Sequence, residues 1–263
     1  MILVLLAILT AITVTGVMAY GGRENLGPLA AIVDFDTGNA AAALHEILVW
    51  VLLCAIALHI VGVVVESKLS EFSLVGAMIT GHKPVSKGQS DLGGLLIRRG
   101  LAVAGIVAVL MLAGGQGMAL LPGSGWRNLA LPEPYRSECG DCHDTYHPGL
   151  RTADDWREMM AGLDDHCGED ASLEEPTVRQ IRQLLVINAA TTFDTEAANR
   201  IGRIATRTGR MTDTDYWKNR HEAINPDLFR SKAVGSRINC AACHADAESG
   251  RFDDYAIKLP NGD

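Results

Sequence analysis

Three long apolar runs fill the first half of the chain, and helical spacing of apolar residues marks the second. Met1–Tyr20 is uncharged, with only three Thr and one Gly among apolar residues. At about 1.5 Å per residue it is long enough to cross about 30 Å of hydrocarbon. A signal peptide is the alternative, but no Lys or Arg opens the run, and a charged, Gly-rich sequence follows where a small-residue cleavage site would stand. Leu44–Val65 is a second span, interrupted by His45, Glu46 and His59, and residues 95–121 hold a third after Arg98-Arg99. Beyond them, Thr152 and Asp155 predict a capping box for a helix carrying Trp156, Met159, Met160 and Leu163. Ser172 and Glu175 predict another before Val178, Ile181, Leu184, Leu185 and Ile187. No alternating pattern of useful length predicts a strand. The chain therefore reads as all-α: a membrane domain over 1–121 with helices near 1–20, 44–65 and 95–121, a linker over 122–135 rich in Pro and Gly, and a mainly helical soluble domain over 136–263.

Charge orients this arrangement. The net charge is −8, and residues 1–121 hold six Lys/Arg and seven Asp/Glu against seventeen and twenty-four in the remainder. An acidic chain without a Lys/Arg-rich stripe lacks the footprint that phosphate contacts need, so nucleic acid is not an expected partner. The 66–100 loop carries Lys68, Lys83, Lys87, Arg98 and Arg99, whereas the 21–43 loop has Arg23 against Glu24, Asp34 and Asp36. The positive-inside rule makes the 66–100 loop cytoplasmic. The 21–43 loop and everything after Leu121 then face the periplasm, across a bacterial inner membrane.

Four of the six cysteines supply the chemistry. Cys139-Gly-Asp-Cys142-His143 and Cys240-Ala-Ala-Cys243-His244 are c-type haem attachment motifs. Two thiols at this spacing reach the two vinyl groups of one porphyrin, and the adjacent histidine lies beneath the ring as proximal iron ligand. A redox dithiol, or zinc held by paired CxxC motifs, is the alternative for a single copy. Each c haem needs a sixth ligand, and the outer domain has three other histidines, His147, His166 and His221. His147 lies only four residues past His143 and would have to fold back sharply, so the expected pairs are His143 with His166 and His244 with His221. An exchanged pairing, a ligand from Met159, Met160 or Met211, or an exposed histidine without a ligand role stay open.

The stretch from Cys139 through Trp156, Asp165-His166-Cys167-Gly168 and Asn188-Ala-Ala to Cys240-Ala-Ala-Cys243-His244 resembles the bacterial di-haem cytochrome c family over about 120 residues. That resemblance implies a small periplasmic electron carrier with two covalent, bis-histidine c haems. Cys167 stands where the family usually has Phe, and His147 where it usually has Pro.

His45 and His59 are fourteen residues apart on one expected membrane helix. At 100° per residue they point about 40° apart, at depths differing by about 21 Å. Ionisable side chains inside a span are costly and usually functional, and ligation of haem iron by neutral imidazole removes most of that cost. A pair of hydrogen-bonded core histidines is the alternative. The residues from Leu44-His45-Glu46 through His59 and Val61-Gly-Val-Val to Ala77-Met-Ile-Thr-Gly-His82-Lys83 are similar to the last helix and tail of the di-haem cytochrome b subunits that anchor nickel-iron hydrogenases and formate dehydrogenases. The resemblance implies one ligand from this helix to each of two b haems. The opposite ligands would come from a second membrane subunit, because neither other span contains a histidine.

The expected function is that of an electron-transfer subunit rather than an enzyme by itself. It would pass electrons from a quinol pool through b haems to the c haems and on to a soluble periplasmic cytochrome, within a quinol:cytochrome c oxidoreductase. The competing reading is a ligand-binding or enzymatic cytochrome with an open c haem, whose membrane half serves only as anchor. Residues 133–175 contain thirteen Asp/Glu and three Arg, whereas 176–237 contain eleven Lys/Arg and six Asp/Glu. Solvated surface is the default explanation of this asymmetry; if it is functional, the acidic lobe steers a basic partner.

Overall fold

A computed structural model describes residues 2–69, 92–121, 123, 125–204 and 210–260. Of the 66–100 loop, residues 70–91 with His82, Lys83 and Lys87 lie outside the described residues, as do Pro122 and Ser124. The described part is helical and contains no strand, only the isolated bridges His166–Glu169 and His244–Ile257.

Three helices are long and apolar enough to cross a membrane. They are α1 (Ile2–Glu24), α2 (Phe35–Leu69) and α3 (Leu92–Ala119). Each departs from the expected bounds, and α2 most of all, because a helix need not stop where its apolar run stops. Its 35 residues span about 52 Å, well beyond the hydrocarbon. The Asp34 side chain accepts from Thr37 N at 2.7 Å and starts α2 nine residues before Leu44. Helices α1 and α2 form an antiparallel hairpin, with Gly22 against Gly38 and Gly16 against His45. A Cβ on Gly38 would lie 2.6 Å from Arg23 N, so the close crossing requires glycine there. The same register sets His59 level with the start of α1.

The soluble part is built from short helices joined by 3-10 turns and one π-helical turn, Ala198–Gly202. Its α-helices are α4 (Glu133–Gly140), α5 (Ala153–Ala161), α6 (Glu175–Ile187) and α7 (Asp215–His221). The expected capping box at Thr152 forms in full, with the hydroxyl accepting from Asp155 N and the Asp155 carboxylate accepting from Thr152 N. The one expected at Ser172 does not. Helix α6 starts two residues later, behind Glu174, because Pro176 fixes the first turn without an N–H to cap. Leu131, Tyr135, Trp156, Met160, Ile181, Leu185 and Ala189 form the core, with Cys139, Tyr146 and Leu163 packed against it.

The segment expected as a linker is packed rather than free. Gly125 O accepts from Asp194 N at 2.7 Å, and the Trp126 indole donates to Ser249 O at 3.2 Å. Arg127 donates to Asn188 at 2.7 Å, and Leu131 sits in the core. The soluble domain also grips the turn between α1 and α2. The Asp194 carboxylate accepts from Phe35 N at 2.7 Å, Asn25 donates to Asp194 O at 3.2 Å, and Arg200 donates to Asn39 at 2.9 Å with its guanidinium over the Phe35 ring. The 21–43 loop and the C-terminal part therefore lie on one side, as the charge pattern requires.

The core carries a direct test. Trp156 is 1% exposed and donates its indole N–H to Pro148 O at 2.8 Å. Trp156→Ala removes both the packing and the bond. It is expected to destabilise the soluble part by about 3–5 kcal/mol, read as a lowered melting temperature of the haem-loaded chain.

Candidate functional site

Cys139 lies in the last turn of α4, facing the core. The helix stops at Gly140, so Cys142 and His143 follow on a separate turn. His143 donates Nδ1–H to Asp144 O at 2.7 Å, and its ring stacks on Tyr146 at 4.8 Å. Opposite stands His166, at the first corner of a two-residue turn. Cys167 (φ 61°) and Gly168 (φ 98°) both adopt positive φ, and the backbones of His166 and Glu169 exchange hydrogen bonds of 2.8 and 3.3 Å. Cys167 is thus an exposed turn residue presenting its neighbour.

The second motif is a 3-10 turn, Cys240–Ala242, capped by the Asn239 side chain. His244 is pinned through the bridge to Ile257, where Lys258 N donates to Cys243 O at 2.8 Å. His221 ends α7, donates Nδ1–H to Trp217 O at 2.7 Å, and stacks on the Trp217 ring at 4.3 Å.

The fold brings the expected partners together. The ring centroids of His143 and His166 lie 6.1 Å apart, and those of His221 and His244 lie 6.2 Å apart. A metal bound on both sides by imidazole, with bonds of about 2 Å and about 1 Å from each nitrogen to its ring centre, needs about 6 Å. Because a carbonyl only accepts, the Nδ1 atoms of His143 and His221 carry the proton, which leaves each Nε2 free as a donor to iron. Burial, and next the facing His143, push the His166 pKa down, and burial with the facing His221 does the same to His244. Both are neutral imidazoles at pH 7, the ligating form. Burial pushes the Cys139 thiol up to about 11 and Cys240 up to about 12. Such thiols are poor thiolates, and conversion to thioethers takes no charge from them. Among the described residues no three His, Cys, Asp or Glu converge as a metal cluster.

The two motifs are neighbours across a cleft of about 630 Å³ lined by Cys142, His143, Tyr146, Cys240, Ala241 and Phe252. Ala241 N donates to the Asp144 carboxylate at 2.9 Å and the Tyr146 hydroxyl to Ile238 O at 2.9 Å. The flanking rings Tyr146, Trp217 and Phe252 escaped the sequence reading. The first two stand three residues after His143 and four before His221, a helical spacing that could have revealed them.

His147 joins neither pair. The structure corrects its reading as an exposed histidine, because it is 2% exposed. Its Nδ1 accepts from Gly149 N at 3.1 Å, and its ring meets Phe193 edge-on at 4.6 Å. Met160 is buried in the core and Met159 packs against it.

In the membrane half, His45 and His59 are both half-buried. The His45 Nδ1 lies 3.0 Å from Ile12 O and 3.2 Å from the Thr15 hydroxyl, and its ring lies over Gly16. Donation of Nδ1–H to the carbonyl leaves Nε2 free here too.

A family model for dihaem cytochrome c matches residues 135–252. Through these residues the chain belongs to the dihaem cytochrome c family. The diheme cytochrome c from Rhodobacter sphaeroides is 37% identical over 48% of this chain and all of that one, with a TM-score of 0.40. The diheme cytochrome type c from Shewanella baltica OS155 is 30% identical over 50% of this chain and 96% of that one, also with a TM-score of 0.40. No curated protein matches. The dihaem cytochrome c domain carries two covalent c haems, and its chemistry is electron transfer through them; His143, His166, His221 and His244 are the residues whose placement fits those groups.

His147 gives this domain a pH dependence. Burial, and next the Arg127 charge, lower its pKa from 6.5 to about 4. Between those values the folded state binds fewer protons than the unfolded one, so stability falls as pH falls from 6.5 through 4, by up to about 3 kcal/mol in full. Thermal unfolding of the haem-loaded chain across this window should show a smaller decline in His147→Asn.

Proposed function

We propose that this chain is a membrane-bound electron-transfer subunit of a quinol:cytochrome c oxidoreductase, carrying two c haems axially ligated by His143 with His166 and by His244 with His221. The observation that carries the reading is the pair of opposed imidazoles at 6.1 and 6.2 Å, each set beside one attachment motif. A ring on either side of each iron position favours electron transfer over ligand binding. When bound, each haem supplies reversible one-electron iron chemistry. The protein sets the four imidazoles in two opposed pairs, fixes the His143 and His221 rings through their Nδ1–H bonds to Asp144 O and Trp217 O, and keeps the attachment cysteines beside them.

In the same reading, His45 near the periplasmic surface and His59 deeper each contribute one ligand to a b haem. The support for this is their half-buried position on one face of α2, and at His45 the carbonyl bond that frees Nε2. A second membrane subunit with two histidine-bearing helices supplies the opposite ligands. The onward acceptor is a soluble periplasmic cytochrome. Exposed Asp164, Asp165, Glu169 and Asp170 around His166 favour a basic one.

Two experiments test this. In His166→Ala or His221→Ala both haems should stay attached while one iron becomes high-spin and binds carbon monoxide, whereas His147→Ala should leave the spectrum low-spin. The opposite pattern would exchange the ligand roles.

Expressed alone, the chain should hold c haem and little b haem. With the partner subunit it should gain two b haems, of which His45→Ala and His59→Ala each remove or damage one. A pyridine haemochrome showing haem c only in the intact complex would leave the membrane half a simple anchor.

A further inference from the structure

We infer that the membrane half and the cytochrome domain exchange electrons at the second attachment site, Cys240–Cys243–His244, through the segment Arg251–Phe252, and that the first site is the outer one. This rests on the function proposed above.

The contacts of the α1–α2 turn define the route. Arg251 donates to Glu24 O at 3.4 Å at the end of α1 and pairs with Asp253 at 2.8 Å. Its guanidinium also lies over the Trp126 ring at 5.1 Å. The next residue, Phe252, is held at φ 56° and sets its ring edge-on to His244 at 5.2 Å. On the other side of the turn, Asp194 caps the first residue of α2 through Phe35 N. His45 lies ten residues further along the same helix, about 15 Å away in rise. One of the residues that grip the turn, Arg251, is thus the chain neighbour of the Phe252 ring that meets His244. From His244 the contacts run to the first motif through the bond between Ala241 N and Asp144, the residue after His143. His143 faces His166, beyond which Asp165, Cys167, Gly168 and Glu169 are exposed.

Tunnelling rates fall exponentially with distance, so the site that shares contacts with the membrane turn is the one that membrane electrons reach. The balance is simple. One quinol would become quinone, releasing two protons to the aqueous phase and giving up two electrons, which would pass one at a time by way of the residues beside His244 and then those beside His143 to two molecules of a one-electron acceptor. The terminal oxidant is a ferric soluble cytochrome.

The test uses the intact chain with its membrane partner. A nitroxide at Asp36→Cys, in a Cys54→Ser, Cys167→Ser background, reports nearby ferric iron by its spin relaxation. Relaxation should slow when the second haem is removed by Cys240→Ala with Cys243→Ala, and stay unchanged when the first is removed by Cys139→Ala with Cys142→Ala. The reverse result overturns the arrangement. Independently, Asp194→Ala, which releases the turn, should slow reduction of both c irons by a short-chain quinol several-fold while both haems remain attached. An unchanged rate overturns the route. If quinol reduces neither c iron of the unmodified complex while dithionite reduces both, the proposed function itself fails; the relaxation result, which needs no electron transfer, separates that failure from a wrong arrangement.

Discussion

An iron bound by two imidazoles demands that two rings stand about 6 Å apart with a slot between them, and the soluble domain holds two histidine pairs at a separation that fits this demand. Both pairs join residues 23 positions apart, but in opposite order: His143 precedes its partner and His244 follows its own. A continuous helix cannot satisfy such a pair, because rings on one helix face point the same way. Each histidine accordingly sits where a helix has ended or a turn reverses. His143 follows the end of α4, His221 closes α7, His166 opens a two-residue turn, and His244 leaves a 3-10 turn. The small core of Trp156, Met160, Ile181 and Leu185 fixes the few helices, and short bridges and caps do the rest.

That division of labour explains what could be read in the sequence. The membrane helices were legible because an apolar run has one physical meaning at that length, yet their ends were not. Asp34 and Thr37 start α2 by a local hydrogen bond outside the apolar run. The CxxCH motifs were legible because covalent attachment fixes their spacing, and elimination among few histidines singled out His166 and His221, whose rings the fold places 6.1 and 6.2 Å from those of His143 and His244. His147 was separable from them only by its nearness to His143. Its burial against Phe193 and Gly149 depends on residues up to 46 positions away, which no local pattern carries. The capping box at Ser172 failed because Pro176 is a stronger start signal than a hydroxyl three residues before a glutamate.

The least legible feature was the contact between the two halves. Pro and Gly around residues 122–134 suggest a hinge, and a hinge would raise the encounter rate of membrane and soluble redox sites without fixing which surfaces meet. The structure adds orientation. Asp194 is the centre of it, since its carboxylate caps Phe35 N, its carbonyl accepts from Asn25 and its own N–H donates to Gly125 O. One residue of the cytochrome domain thus joins the start of α2, the end of the α1 turn and the connection from α3.

Orientation matters because the two faces of the domain differ. The side applied to the membrane turn is held by arginines, Arg200 and Arg251, against Asn39 and the Glu24 carbonyl. The exposed rim near His166 is carboxylate-rich, with Asp164, Asp165, Glu169 and Asp170. A freely tethered domain would present either face to an incoming partner, and its charge asymmetry would average out with rotation. Docked, it commits the arginine face to Asn39 and the Glu24 carbonyl, and the carboxylates near His166 stay exposed on surface that this contact does not use.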